Sequence, residues 1–145
     1  MNAVDLRSLL ADASHGGAYF VAESDTTAIA EAGTALRYEL VHIDLSGCVD
    51  APTLFARFAR ALRFPEWFGH NWDALADSLG DLSWLPASGY LLLLENASGW
   101  RAAAGGDAAT LLEILNDAAA SWAAQGVAFW ALLPLPAVEL DALDQ

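Results

Sequence analysis

Three side chains in one short stretch of the sequence could do chemistry together: His70, Asp73 and Asp77. If the stretch is helical, they fall at positions i, i+3 and i+7 and share one side of the helix. An imidazole and two carboxylates in that arrangement could bind a divalent metal ion or act as an acid–base pair. Neither chemistry is complete, because no further element adds a nucleophile or more ligands. A small metal-dependent enzyme therefore ranks third among the hypotheses for this chain.

The spacing of the two carboxylates favours binding over catalysis. Asp73 and Asp77 stand at i and i+4, where like charges cost an isolated helix about 0.2–0.5 kcal/mol. The helix dipole favours Asp73, because it lies in the first turn. Asp77 lies in a later turn and gains no such stabilisation. We therefore expect a group outside this helix to use the charge of Asp77.

An aromatic loop and a short helix must position these residues. The stretch from Phe64 to Leu79 reads FPEWFGHNWDALADSL. Pro65 restricts the backbone of the loop, and Gly69 is expected to permit a turn that a side chain would block. Asn71 is a favourable N-cap and predicts the start of the helix. The apolar residues at i, i+3 and i+7 then predict its buried stripe: Trp72, Leu75 and Leu79.

Composition and charge exclude several classes of function. The chain has 145 residues and a net charge of −13, and all six of its basic residues are Arg. From Phe64 to Gln145 there are eleven acidic residues and one basic residue, Arg101. A nucleic-acid-binding protein would show the opposite balance. The sequence also lacks a Gly-rich phosphate loop, a nucleophile elbow and a Cys/His pair at metal spacing, so we expect no cofactor, no metal and no catalytic residues. An excess of acidic residues indicates either a protein that binds a basic partner or one that is kept soluble by its charge.

The sequence predicts a cytoplasmic protein that does not bind a membrane. The single cysteine, Cys48, suits a reducing compartment, and Met1–Ala13 carries charges within its apolar run, unlike a signal peptide. Residues 118–138 are uncharged, which meets the length of a membrane span. Gln125, Gly126 and two prolines interrupt them, however, so we interpret this stretch as a helix end, a turn and a buried strand.

Apolar strands alternate with helices along the whole chain, which predicts a single α/β domain with a small, mainly parallel sheet and helices packed on it. The predicted strands are Ala18–Ala22, Arg37–Leu45, Tyr90–Leu94 and Val127–Leu133. Besides the helix that follows Asn71, the predicted helices are Ala3–Ala13, a helix from Asp25 to Ala32 that Gly33 ends, Ala51–Leu62 capped by Asp50, and Ala108–Ala124.

Four smaller expectations accompany this reading. His42 should be a packed, hydrogen-bonded core histidine, and Arg57, Arg60 and Arg63 should line a solvated helix face rather than a phosphate site. Residues 101–106 should form a surface segment. The acidic tail, residues 134–145, should be ordered at most at its start.

The stretch PEWFGHNWDALADSL resembles the signature of the barstar family, the intracellular inhibitors of the secreted ribonuclease barnase. The resemblance covers about residues 37–133 in order: the strand RYELVHIDL, a helix, the signature, a Trp-bearing loop, the strand YLLLL, a helix and a final strand. It implies a parallel sheet with packed helices. It also divides the domain into an N-terminal extension (1–36) that adds a strand and helix at a sheet edge, a barstar-like core (37–133) and an acidic tail (134–145).

The resemblance further implies a non-enzymatic inhibitor whose carboxylates replace RNA phosphates in a basic ribonuclease active site. Trp67 and Gly69 would be loop contacts, and Asp73 and Asp77 the helix carboxylates, with Asp77 reaching the groups that hold the scissile phosphate. A further carboxylate is expected on the last long helix. Counting back from Gly126 without a gap gives Ser121, whereas one extra helical turn gives Asp117, which we prefer.

Two departures from the family pattern leave the partner open. Barstar has an aromatic residue before the second Asp, where this chain has Ala76, and an acid before the Asn, where this chain has His70. The partner can therefore be a relative of barnase. The alternative is a different class of binding protein, an immunity or regulatory module that binds another toxin or protein through the same acidic residues, Asp73 and Asp77.

Overall fold

Four strands form one sheet in the computed structural model, which describes residues 3–143. The strands are β1 Gly17–Ala22, β2 Glu39–Asp44, β3 Gly89–Glu95 and β4 Ala128–Leu135. Their spatial order is β1-β4-β3-β2, and all three neighbouring pairs are parallel. The predicted α/β fold with a parallel sheet is confirmed.

Helices connect the strands and cover both faces of the sheet. They are α1 Ala3–Ala11, α2 Thr26–Ala35, α3 Ala51–Leu62, α4 Trp72–Asp81, α5 Ser98–Ala104, α6 Gly106–Ala123 and α7 Ala137–Ala142, with 3-10 turns at Ala13–His15 and Glu23–Asp25. The predicted bounds of α3 are confirmed, and the Asp50 side chain accepts a hydrogen bond from the Thr53 amide at its N-terminus.

The sheet separates two apolar cores. On one face, α3, α4 and α6 pack around residues such as Phe58, Leu75 and Leu115. On the other face, α1 and α2 cover a smaller core that includes Leu10, Ile29 and Trp130. The central strands are apolar without a break because both of their faces are covered. The two helical layers therefore present two separate surfaces.

The N-terminal segment adds β1 at one edge of the sheet, where Gly17 pairs with Trp130. The Ala18 amide also donates to Asn116 Oδ1 of α6 at 2.9 Å. A strand and a helix therefore lie where the sequence predicted them. The division into extension, core and tail stays a prediction, and residues 1–2 and 144–145 lie outside the described range.

One prediction about a helix end is wrong, and one predicted surface segment is more regular than expected. Gly33 does not end α2 but lies inside it, buried, and α2 continues to Ala35. A Cβ atom at position 33 would overlap Leu91 Cδ2, so α2 approaches the sheet closely at this glycine. Residues 101–106 lie at the surface as predicted, but the first four of them are helical, because α5 runs to Ala104 and is anchored by the buried Trp100.

The predictions for His42 and for the tail also need correction. His42 is exposed on the edge strand β2, since Val41 and Ile43 take the buried face, and its Nδ1 lies 2.8 Å from Glu95 Oε1. The tail continues β4 to Leu135 and then forms α7. Glu139 of α7 pairs with Arg101 and accepts a hydrogen bond from Ser98 Oγ at 2.6 Å.

None of the helices between residues 3 and 143 combines the length and apolar character that a membrane span needs. The uncharged residues 118–138 comprise the end of α6, a turn with Gly126 at φ 75°, strand β4 and the start of α7.

Candidate protein-binding site

The loop between α3 and α4 is built on packed aromatic rings. Helix α3 ends at Leu62, and Arg63 follows in the left-handed region at φ 57°. The half-buried ring of Phe64 then meets that of Phe68 edge-on, with centroids 4.8 Å apart. Phe68 is 5% exposed, so its burial fixes the loop to the core.

Trp67 projects from this loop into solvent. Its side chain is 69% exposed, and its ring meets the edge of Trp84 at 90°, with centroids 6.1 Å apart. The indole N–H of Trp84 donates to the carbonyl of Leu62 at 3.0 Å. Trp84 is thus half-buried and fixed to the end of α3, where it supports the exposed ring of Trp67.

The turn into α4 depends on His70 as well as on Gly69. His70 has φ 49°, so the left-handed residue is His70, whereas Gly69 does not have a positive φ. A Cβ atom at Gly69 would lie 3.2 Å from Asn71 Nδ2, which makes Gly69 a position of close approach. The His70 ring packs on Phe68, with centroids 4.8 Å apart.

Helix α4 begins as the sequence predicts. Asn71 Oδ1 accepts a hydrogen bond from the Ala74 amide at 2.8 Å, which caps the helix. Leu75 and Leu79 are fully buried, while Trp72 is half-buried and meets Phe55 edge-on at 4.9 Å. The predicted stripe therefore holds α4 against the core, with Trp72 at its margin.

The opposite side of α4 is the acidic face, which consists of Asp73 and Asp77. Both side chains are exposed, and they lie about one turn apart. Neither forms a hydrogen bond or ion pair with any part of the chain within residues 3–143. The helix backbone thus brings two carboxylates next to each other, and both remain available to an outside cation.

Asp117 lies on the adjacent helix α6, which packs on α4. The indole N–H of Trp122 in α6 donates to the carbonyl of Leu79 at 2.8 Å and links the two helices. Asp117 and Ser121 are both exposed, whereas Leu111 and Leu115 are buried. Both candidates for the further carboxylate position are therefore on the solvent side of this helical layer.

His70 does not share a helical side with the two carboxylates, because α4 begins only at Trp72. Within residues 3–143, no group of three or more His, Cys, Asp or Glu side chains is arranged to hold a metal ion. The side chains at this site are therefore suited to pairing with external cations and packing against an external apolar surface.

The position of Trp84 could not be predicted from the sequence. Its hydrogen-bond partner, Leu62, lies 22 residues earlier in the chain, so no local pattern could have indicated the contact. Only the packing of the loop that follows α4 against the end of α3 reveals it.

The structure thus defines an α/β domain with an exposed tryptophan and an acidic helix on one of its two helical layers. The family model described as Barstar (barnase inhibitor) matches residues 38–134, about two thirds of the chain. The chain belongs to the barstar family. A search of curated proteins found no match to the chain.

Proposed function

We propose that this protein inhibits a barnase-type ribonuclease by inserting the acidic face of α4 into the basic active site of the enzyme. The observation that supports this most directly is the exposure of Asp73, Asp77 and Trp67 together, within the segment that the family model matches. The protein acts as a binding protein in this proposal, with no catalytic residues of its own.

The chemistry rests on charge. A ribonuclease gathers Arg, Lys and His side chains to hold phosphate, and a fixed carboxylate forms charge-assisted hydrogen bonds with the same groups. Asp77 would replace the scissile phosphate, while Asp73 would contact a neighbouring cation. Because the helix backbone that carries both carboxylates is formed before binding, only their side chains need to become ordered on association.

The contacts around the acidic face would give shape and orientation. Trp67 presents a large, rigid surface of the kind enriched in protein interfaces, and Gly69 lets the partner approach the loop backbone. Asp117 on α6 would add a charge at the margin. A net charge of −13 would speed encounter with a cationic enzyme, and added salt would slow it.

The direct test is titration of several barnase-type ribonucleases with this protein while cleavage of a fluorogenic RNA is followed. We expect loss of activity at equimolar protein. Asp77→Asn should weaken inhibition by about 10- to 100-fold, because it removes a hydrogen bond between charged groups. Glu31→Gln neutralises an exposed helical carboxylate on the opposite layer and should change affinity less than about twofold.

Absence of inhibition across the whole set of ribonucleases would overturn the proposal. If Asp77→Asn and Glu31→Gln weakened inhibition equally, Asp77 would not be part of the binding site. His70 and Ala76 depart from the family pattern. The same test therefore also addresses the second function, an immunity module for another toxin. Capture of a partner without ribonuclease activity, lost on Asp77→Asn, would favour that function.

A further inference from the structure

A groove opens on the face of the sheet opposite α4, between α1, β1 and α2. Its volume is about 490 Å³, within the range of pockets for small molecules. Most of its lining comes from residues before position 38, where the match to the barstar family begins. The lining is mainly apolar and consists of Leu6, Leu9, Leu10, His15, Tyr19, Phe20, Val21, Asp25, Ala28, Ile29, Trp130 and Leu132.

Exposed apolar residues border this groove. Trp130 and Leu132 of β4 form a buried floor. Tyr19 at the rim is 45% exposed, and its ring lies 5.6 Å from that of Trp130. Leu9, which also lines the groove, is 38% exposed. Exposed apolar residues grouped around a concave site indicate a binding surface, whereas isolated ones do not.

The walls of the groove are fixed by hydrogen bonds. The indole N–H of Trp130 donates to the carbonyl of Leu10 at 3.0 Å, and the Tyr19 hydroxyl donates to the carbonyl of His15 at 2.7 Å. The polar atoms of both aromatic residues are therefore already paired. The groove presents a preformed apolar and aromatic surface to an occupant.

One free charge lies at the rim. Asp25 lines the groove and is exposed, and its carboxylate has no partner within the described residues 3–143. Asp12, in contrast, is paired with Ser14 and with His15, whose Nδ1 lies 2.7 Å from Asp12 Oδ2. No Arg lines the groove. An occupant with a positive group near Asp25 is therefore complementary in charge.

We propose that this groove binds a small amphiphile that has an apolar body and one ammonium group. The apolar body lies over Trp130 and Leu132, and the ammonium group pairs with Asp25. This site is independent of the proposed ribonuclease inhibition, since it lies in the other helical layer.

Three probes of the same skeleton test the proposal: 4-phenylbutylamine, 4-phenylbutanol and 4-phenylbutyrate. Methyl NMR of the full-length protein would report binding through the signals of Leu6, Ile29 and Leu132. We expect these signals to shift together, with the amine binding about two- to fivefold more tightly than the alcohol and the carboxylate most weakly. Equal affinity for the three probes, or shifts spread over the whole protein, would overturn the proposal.

Two variants locate the site. Asp25→Asn keeps a side chain suited to a helix N-terminus and should abolish the preference for the amine, whereas Glu23→Gln, a nearby carboxylate outside the lining, should keep it. Ala28→Phe should fill the groove and weaken all three probes. Shifts of the same methyl signals with protein concentration alone would instead identify a second copy of the chain as the occupant, and would overturn the proposal.

Discussion

The rings of Trp67 and Trp84 meet edge to face at 90°, with centroids 6.1 Å apart. The two residues differ in exposure: Trp67 is open to solvent, while Trp84 is half-buried and bonded to the carbonyl of Leu62. An edge-to-face pair of aromatic rings contributes about 0.5–1.5 kcal/mol beyond the area it buries. Trp84 is therefore a positioning residue for the exposed ring.

Trp84→Phe should separate this positioning role from direct contact. The variant keeps an aromatic ring but loses the hydrogen bond to Leu62, so we expect the free energy of unfolding to fall by about 1 kcal/mol. The indole NMR signal of Trp67 should report a more mobile ring, and ribonuclease inhibition should weaken. An unchanged Trp67 signal together with unchanged inhibition would contradict the role of Trp84.

Trp67→Ala is the matched comparison. Because Trp67 is 69% exposed, its removal should lower stability less than that of a buried tryptophan, for which about 3–5 kcal/mol is usual. Its effect on inhibition should nevertheless exceed that of Trp84→Phe. Thermal unfolding and inhibition titrations on the same samples measure stability and affinity. A larger effect of Trp84→Phe than of Trp67→Ala on inhibition would contradict the role of Trp67 as the direct contact.

Asp117 and Ser121 compete for the further contact on α6. If Asp117 is the contact, Asp117→Asn should weaken inhibition and reduce the dependence of the association rate on salt, because one attractive charge is lost. Ser121→Ala should then have no effect. Stopped-flow association at two salt concentrations decides between them, and a silent Asp117→Asn with a weakened Ser121→Ala would reverse the choice.

Local signals in the sequence predicted much of this structure. The caps Asn71 and Asp50 act within three residues of their own position, and the apolar run of β3 needs only its own composition to indicate burial. The contacts that sequence reasoning missed join distant residues. The exposure of His42 follows from the place of β2 at the edge of the sheet, and α7 is joined to α5 by the pair between Arg101 and Glu139. Neither relationship has a periodic signature.

Gly33 also contacts a residue far away in the sequence, Leu91. A pair of substitutions tests whether this close packing matters for stability. Gly33→Ala places a Cβ against Leu91, which is fully buried. Overpacking costs about 1–3 kcal/mol, which outweighs a gain of up to about 1 kcal/mol in helix propensity. We expect a net loss of stability of about 1 kcal/mol.

Gly80→Ala is the control for Gly33→Ala, because a Cβ there meets nothing within 4 Å. It should stabilise the protein by about 0.5–1 kcal/mol through helix propensity. Urea denaturation measures both variants. Stabilisation by Gly33→Ala would show that Leu91 yields readily and that close packing does not require glycine.

Asp44 gives the stability a defined dependence on pH. Hydrogen bonds from the side chain of Asn96 and from Ser46 hold the pKa of this carboxyl below its usual value. A pKa that is lower in the folded state adds stability above the pKa of the unfolded state, about 3.9, and this contribution is lost as the pH falls through the folded value.

Urea midpoints measured between pH 6 and pH 2.5 should therefore fall below about pH 4. Asp44→Asn cannot titrate, so its midpoint should fall less steeply over the same interval. Parallel decreases in the wild type and the variant would remove Asp44 as a source of the dependence.

Glu139 should stabilise the packing of α7 against the rest of the domain. Its carboxylate accepts from both Arg101 and Ser98 of α5, and the side chains of Arg101 and Glu139 are only 23% and 30% exposed. A partly buried, multiply bonded pair is worth more than an exposed one, and we expect about 1 kcal/mol. Glu139→Gln should therefore speed amide hydrogen exchange in residues 137–142 by about fivefold.

Asp141→Asn is the control, because it neutralises an exposed acid on the same helix and should leave exchange unchanged. Equal exchange in both variants would show that packing alone, without this ion pair, holds α7 in place.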